Sequence, residues 1–199
     1  AEFIQQNLMI QTNVISAASK TGIKDLLFLG SSCIYPRDCP QPIKEEYLLT
    51  GSLEPSNRPY AVAKISGIEQ CWANNRQYGT RYLALMPCNL YGPGDNFHPE
   101  HSHVIPGLIR RFHEARVSQQ SQVSAWGTGN PRREFLFSDD LASACIHLLT
   151  LPVKKTKSIC QNHLPPLINI GTGNDIAIRE LVAIISEIVG YKGAVLWDT

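Results

Sequence analysis

The chain has 199 residues, 43% of them apolar and 18% charged, with 18 Lys+Arg against 17 Asp+Glu for a formal charge of +1. That length and apolar share are enough to bury one substantial core and part of a second lobe, and a charge so balanced argues against a general binder of nucleic acid. No run approaches the ~18 uninterrupted apolar residues of a membrane span, and Ala1-Glu2-Phe3-Ile4-Gln5-Gln6 lacks the basic start and apolar centre of a secretory signal. No membrane partner is expected, and the expected address is cytoplasmic. Six cysteines at positions 33, 39, 71, 88, 145 and 160, with no C-x-x-C among them, read as reduced thiols and not as a disulfide framework or a zinc site.

Ile4, Leu8, Ile15 and Ala18 fall near one face of a helix that runs to Lys20 and stops at Thr21-Gly22. Leu26-Leu27-Phe28-Leu29 is a short continuous apolar run ending in Gly30-Ser31-Ser32, the pattern of a strand covered on both faces in a parallel sheet. From Pro36 to Pro59 five prolines predict a long loop with at most a short turn near Glu45-Glu46, and loops of that length often carry function. Ala61, Ile65, Ile68 and Trp72 then set a helix from Pro59 to Tyr78, punctuated by Gly79. A strand over Tyr82–Met86 follows. Asn89-Leu90-Tyr91-Gly92-Pro93-Gly94-Asp95 reads as a loop where a second lobe begins, with an amphipathic helix near Ile105 to Ala115 beyond it. Glu134–Phe137 is strand-like, Asp139–Leu149 helical, Leu167–Ile170 a strand, and Ile178–Val189 an amphipathic helix ending at Gly190. The fold class expected is α/β, part of a Rossmann-like doubly wound parallel sheet with part of a smaller lobe. Its expected segments are a dinucleotide-binding domain over 1–92, a substrate lobe over 93–131, a return to the first domain over 132–171, and more of the lobe over 172–199.

Tyr60-Ala-Val-Ala-Lys64 puts a phenol and an ammonium at i and i+4, on one helical face. A nearby cation favours phenolate and pulls the tyrosine pKa below its ordinary value of about 10, into range for proton exchange. The competing reading is a solvated helix pair. Gly30-Ser31-Ser32 ends the preceding strand, and in doubly wound sheets ligands bind beyond the carboxyl ends of strands, so Ser31, Tyr60 and Lys64 form a candidate triad. At these residues the chain resembles the extended short-chain dehydrogenase/reductase superfamily. Ser31-Ser32-Cys33-Ile34-Tyr35-Pro36, Pro59-Tyr60-Ala-Val-Ala-Lys64, Asn75-Arg-Gln-Tyr-Gly79, Asn89-Leu-Tyr-Gly-Pro93, Asp95-Asn-Phe-His-Pro99, Ser102-His-Val-Ile-Pro106 and Arg132-Arg-Glu-Phe-Leu136 narrow the resemblance to the GDP-L-fucose synthase family.

The resemblance implies an epimerase/reductase that converts GDP-4-keto-6-deoxy-D-mannose by inversion at C3 and C5 and reduction at C4 with NADPH, working as a homodimer. It implies that Tyr60 donates a proton to the C4 alkoxide, that Lys64 lowers the Tyr60 pKa and holds the nicotinamide ribose, and that Ser31 hydrogen-bonds the keto oxygen. Cys33 is the implied epimerisation base and His103 the general acid. Implied cofactor contacts are Leu29, Gly30, Ser31, Ser32, Tyr60, Lys64, Pro87, Cys88, Asn89, Leu90 and His103, and implied contacts to the GDP-sugar are Arg111, Trp126 and Arg133. Family members commonly have threonine where this chain has Cys88. Each residue also has a plainer reading: Cys33 as a small buried apolar group, Arg111 on a solvated helix face, Arg133 in a loop ion pair, and Trp126 in a core. His98, His101 and His103, with Asp95 and Glu100 nearby, raise a metal site as a competitor, but no metal is expected because no regular element orders their spacing.

A dinucleotide site also needs a Gly-rich turn after a first strand. Gly92-Pro-Gly94, Gly127-Thr-Gly129 and Gly171-Thr-Gly173 lack the G-x-G-x-x-G register. The expectation is therefore a chain shortened at both ends relative to the family. Alternatives that stay open are an inactive fragment or isoform acting only in dimerisation, and another NAD(P)-dependent sugar-nucleotide epimerase or dehydratase.

Overall fold

In the computed structural model, which describes residues 1–160 and 164–199, the chain alternates helix and strand. The elements in chain order are α1 (Glu2–Lys20), β1 (Asp25–Leu29), α2 (Arg58–Tyr78), β2 (Arg81–Pro87), β3 (Asn89–Tyr91), α3 (Val104–Val117), β4 (Gln122–Trp126), β5 (Arg132–Phe137), α4 (Ser138–Leu149), α5 (Val153–Cys160), β6 (Leu167–Ile170), β7 (Asp175–Ala177), α6 (Ile178–Val189) and β8 (Ala194–Asp198). Short 3₁₀ turns cover Ser32–Ile34, Glu45–Tyr47 and Pro55–Asn57. Two units result, one from residues 1–88 and 140–170, the other from 89–139 and 171–199.

The first unit is built on a parallel sheet of order β1-β2-β6. Side chains alternate across a strand, and β2 uses both directions. Tyr82, Ala84 and Met86 join Phe28, Ile65, Ile68 and Cys71 in one core, while Leu83 and Leu85 join Cys160 and the half-buried Cys145, Leu148 and Ile159 in another. Helices thus cover both faces, which makes the unit Rossmann-like and explains the unbroken apolar run from Tyr82 to Met86. In α1 the inward stripe contains the expected residues and also buried Gln11, whose Nε2 donates to Ala63 O on α2 at 2.7 Å. Phe3, Ile10 and Val14 of the same helix stay exposed. Helix α2 begins with Pro59 in its first turn and ends at Gly79, which has φ 61°, a left-handed conformation that favours glycine.

The long loop after Pro36 packs down: Cys39, Ile43, Tyr47, Leu48 and Leu53 lie against the first core. Asn169 of β6 holds it there. Its side chain accepts from Tyr35 Oη at 2.5 Å and donates to Ile43 O at 3.1 Å, and its N–H donates to the Glu45 carboxylate at 2.9 Å.

In the second unit β3 runs parallel to β5, β5 pairs antiparallel with β7, and β4 pairs in parallel with β8. Helices α3 and α6 supply Ile105, Leu108, Phe112, Ala115, Leu181, Val182 and Ile185 to a core shared with Val123, Ala125 and Tyr191. Two sequence expectations change here. Asn89-Leu90-Tyr91 is a strand and not loop, because Phe135–Phe137 offers it a parallel partner. Residues 89–92, 132–139 and 171, expected with the first domain, stand in the second unit, where β3 pairs with β5 and β5 with β7. Helix α5 and strands β4, β7 and β8 add to the elements expected. Among the described residues no helix is long and apolar enough to cross a membrane.

Candidate functional site

The carboxyl end of β1 gathers the first set of expected residues. Gly30 donates its N–H to Leu85 O at 2.8 Å, and a β-carbon there would fall 2.3 Å from Met86 Cε, so a side chain would have to displace the end of Met86. Ser31 is extended, and its Oγ accepts the Cys33 N–H at 3.3 Å, capping the turn at Ser32–Ile34. Ile34, fully buried, anchors that turn and leaves Cys33 exposed. This removes the reading of Cys33 as a packed core thiol. From α2, Lys64 Nζ donates to Leu29 O at 2.9 Å and stands 5.7 Å from the centre of the Tyr60 ring. The Tyr60 phenol lies near enough to the Ser31 side chain to feel it electrostatically, and Phe3 of α1 packs on its ring with centroids 5.8 Å apart. Phe3 has no motif to announce it from sequence; it stands off the inward stripe of α1.

The electrostatics reverse one expectation. Burial pushes the Tyr60 phenol above its ordinary value, and the neighbouring Ser31 side chain pulls back only in part, with the nearby Cys33 raising it further. Lys64 does not depress it: its ammonium is turned to the Leu29 carbonyl, and burial holds its own pKa below the usual lysine range. A desolvated phenol resists becoming phenolate. Tyr60 is therefore a protonated group at neutral pH, equipped to donate.

In the second unit His103 sits at the N-cap of α3, its carbonyl accepting from Gly107 N–H at 3.0 Å. The loop before it is folded on itself. His98 Nδ1 accepts from the N–H groups of Glu100 and His101 at 3.1 and 3.3 Å, and the His98 and His101 rings stack at 4.7 Å. Among the described residues no group of three His, Cys, Asp or Glu side chains gathers to hold a metal ion. Arg111 and Trp126, fifteen positions apart in sequence, come together: the guanidinium lies 4.7 Å from the Trp126 ring centre and donates to Ser124 O at 2.8 Å. Trp126 is 70% exposed, so it is no core aromatic. Arg133 on β5 donates to Arg132 O at 2.8 Å, and the ion pair with Asp175 belongs to Arg132.

The residues fit one end of a nicotinamide cofactor. Lys64 has three N–H donors and spends one on Leu29 O, beside the Tyr60 phenol at an open strand end. Pro87 is buried at the end of β2, Cys88 N–H donates to Ile170 O at 3.0 Å, and Asn89 Nδ2 donates to Glu134 O at 2.9 Å. The pyrophosphate end has no such cradle among the Gly-x-Gly loops. At Gly171-Thr-Gly173 the Glu134 carboxylate already fills the space, accepting from Gly173 N–H at 2.7 Å and Thr172 Oγ1 at 3.2 Å. At Gly129 the Trp197 ring stands where a β-carbon would go.

The family model described as the NAD dependent epimerase/dehydratase family matches residues 1–171. The chain belongs to this family. The matched span contains the strand-end cluster and also His103, Arg111, Trp126 and Arg133. GDP-L-fucose synthase of Escherichia coli (strain K12) is 54% identical over 200 residues, covering 100% of this chain and 61% of that protein. GDP-L-fucose synthase 1 of Arabidopsis thaliana is 54% identical over 198 residues, covering 100% and 58%. The chain thus spans about three fifths of the length of these curated epimerase/dehydratase relatives. Among solved structures, a GDP-D-glycero-L-gluco-heptose synthase from Campylobacter jejuni, in the presence of NADPH, superposes with a TM-score of 0.94 at 36% identity, covering 100% of this chain and 67% of that one.

Proposed function

We propose that these residues serve the conversion of GDP-4-keto-6-deoxy-D-mannose to GDP-L-fucose, by epimerisation at C3 and C5 and NADPH-dependent reduction at C4. The observation that carries the reading is the gathering at the end of β1 of Lys64, 2.9 Å from Leu29 O and 5.7 Å from the Tyr60 ring centre, with Ser31 capping the turn that exposes Cys33. Two hydroxyls brought to bear on one substrate oxygen would form an oxyanion site. During epimerisation Cys33, as thiolate, would take the proton next to the ketone, Ser31 and Tyr60 would hold the enolate oxygen, and His103 would return a proton as general acid. During reduction the same hydroxyls receive the C4 oxygen, and the raised Tyr60 pKa keeps on that phenol the proton the alkoxide needs.

NADPH, when bound, supplies the hydride to C4. Lys64 would hold its nicotinamide ribose with the donors not spent on Leu29 O, and Leu29, Gly30, Ser32, Pro87, Cys88, Asn89, Leu90 and His103 are proposed as further contacts. The 199 residues contain no Gly-rich turn for the pyrophosphate, so their part is the nicotinamide end. Arg111, Trp126 and Arg133 are the proposed GDP-sugar contacts; a guanidinium laid on an indole suits a diphosphate beside a flat apolar group. We also propose a cytoplasmic homodimer through α1 and α2, whose outer faces expose Phe3, Met9, Ile10, Val14 and Val62.

NADPH oxidation with GDP-4-keto-6-deoxy-D-mannose tests the reaction, with Tyr60→Phe as control. Consumption of NADPH that is lost in Tyr60→Phe supports the reading. Consumption that survives the substitution refutes the role of the phenol.

A further inference from the structure

Lys64 is held by more than its position one turn after Tyr60. Its ammonium stands 5.1 Å from the centre of the Phe28 ring as well as 2.9 Å from Leu29 O, so two consecutive residues of β1 meet the same charge. A cation within ~6 Å of an aromatic ring centre is attracted by the ring's negative face. The ring itself has little freedom. Phe28 is 9% exposed, and its far edge points at Gly67, one turn beyond Lys64 on α2; a β-carbon on Gly67 would fall 2.3 Å from Phe28 Cζ. Phe28 pairs in register with Ala84, a fully buried small residue in the same core. Glycine on the helix and alanine on the neighbouring strand leave the room that the ring occupies.

We propose that Phe28, admitted by Gly67, is a positioning residue for Lys64, its ring face and the Leu29 carbonyl together fixing where the ammonium stands at the carboxyl end of β1. The consequence for turnover rests on the reading of Lys64 given above; the positioning itself does not. Burial removes water from the ammonium, and the ring restores part of the stabilisation that water would give.

The test follows Lys64 directly in the 199-residue chain, by ¹³C NMR of reductively methylated lysines, with Lys64→Arg identifying its signal. In Phe28→Leu the titration midpoint of Lys64 moves down, with about a threefold loss of proton affinity. Gly67→Ala, which pushes the ring aside, moves it the same way. An unmoved midpoint in folded Phe28→Leu overturns the proposal. Should Phe28→Leu not fold, Phe28→Met and Gly67→Ala decide by the same measurement. The two readings fail separately: shifts as expected with turnover surviving Lys64→Arg would sink the role of Lys64 in catalysis, and unmoved titrations with turnover lost in Tyr60→Phe would sink only the positioning.

Discussion

Asn75→Ala tests how the start of β2 is held where β6 does not reach it. Asn75 is 3% exposed on α2, and its side chain does the work of a missing strand. Arg81 N–H pairs with Lys24 O on the β1 side, and pairing with β6 starts only where Ala84 N–H meets Pro166 O. Tyr82 lies between these and bonds the Asn75 amide instead: its N–H donates to Oδ1 at 2.7 Å, and its carbonyl accepts from Nδ2 at 2.8 Å. Thr80 Oγ1 also donates to Oδ1 at 2.8 Å. Nδ2 also donates to Cys160 O at 3.5 Å, so truncation takes a partner from three backbone groups and one hydroxyl in a site closed to water. At ~1–3 kcal/mol for each group left unsatisfied, with partial relaxation, the loss is about 3–5 kcal/mol. Urea unfolding measures it, and amide hydrogen exchange at Tyr82 localises it. Asn74→Ala, the same change one residue earlier, costs within about 0.5 kcal/mol, and Thr80→Val combined with Asn75→Ala adds less than its single effect because the partner is shared. A loss below about 1 kcal/mol for Asn75→Ala, with Tyr82 exchange unchanged, would refute the idea that this side chain completes the sheet.

Cys33→Ser keeps a small hydroxyl at the turn but loses the thiolate, so solvent deuterium incorporation into the keto sugar should stop while NADPH-dependent reduction of an already epimerised 4-keto sugar persists; continued incorporation refutes Cys33 as the base. Cys71 is fully buried and its thiol is pushed from 9.0 up to about 12. The folded state therefore holds a proton that the unfolded chain releases, and the stability this contributes is complete below pH 9 and falls as pH rises toward 12, by about 1.4 kcal/mol per pH unit. Cys71→Ala should flatten that alkaline decline in urea midpoints measured between pH 8.5 and 10.5, and an equal slope in both proteins would contradict it. Gly171→Ala would put a β-carbon 2.3 Å from Glu134 Oε1 and expel the carboxylate from Gly173 N–H. The second unit should lose about 1–3 kcal/mol, read from the fluorescence of Trp126 and Trp197 during unfolding.

What the sequence reveals depends on whether one segment carries its own signal. Tyr82–Met86 is legible because a strand buried on both faces must be apolar at every position. Helix α2 is legible because its core residues recur at helical spacing between Pro59 and Gly79. Helix α5 is not: it buries only Thr156 and Cys160, and Lys154, Lys155 and Lys157 dominate its pattern. Strands β4 and β8 do alternate inward and outward residues, but each is five residues long and finds its partner some seventy positions away, so neither is visible alone. The candidate site divides similarly. The Tyr60–Lys64 spacing sets the two on one helix face, but the sign of the Tyr60 shift comes from burial and from where the ammonium turns, and spacing encodes neither. The stacking of Arg111 on Trp126 joins a helix to a strand and has no sequence signature.

Each unit is assembled from two stretches of chain with the other unit's residues between them, the boundaries falling at 88/89, 139/140 and 170/171. During synthesis β1 and β2 are made before residues 89–139, but the third strand of their sheet ends at Ile170 and is made only after that whole stretch. The intervening stretch must in turn wait for β7, α6 and β8. Neither unit can close before the other is partly made, so no single cut in the chain releases one of them whole, and folding is a matter of returns and not of sequential completion.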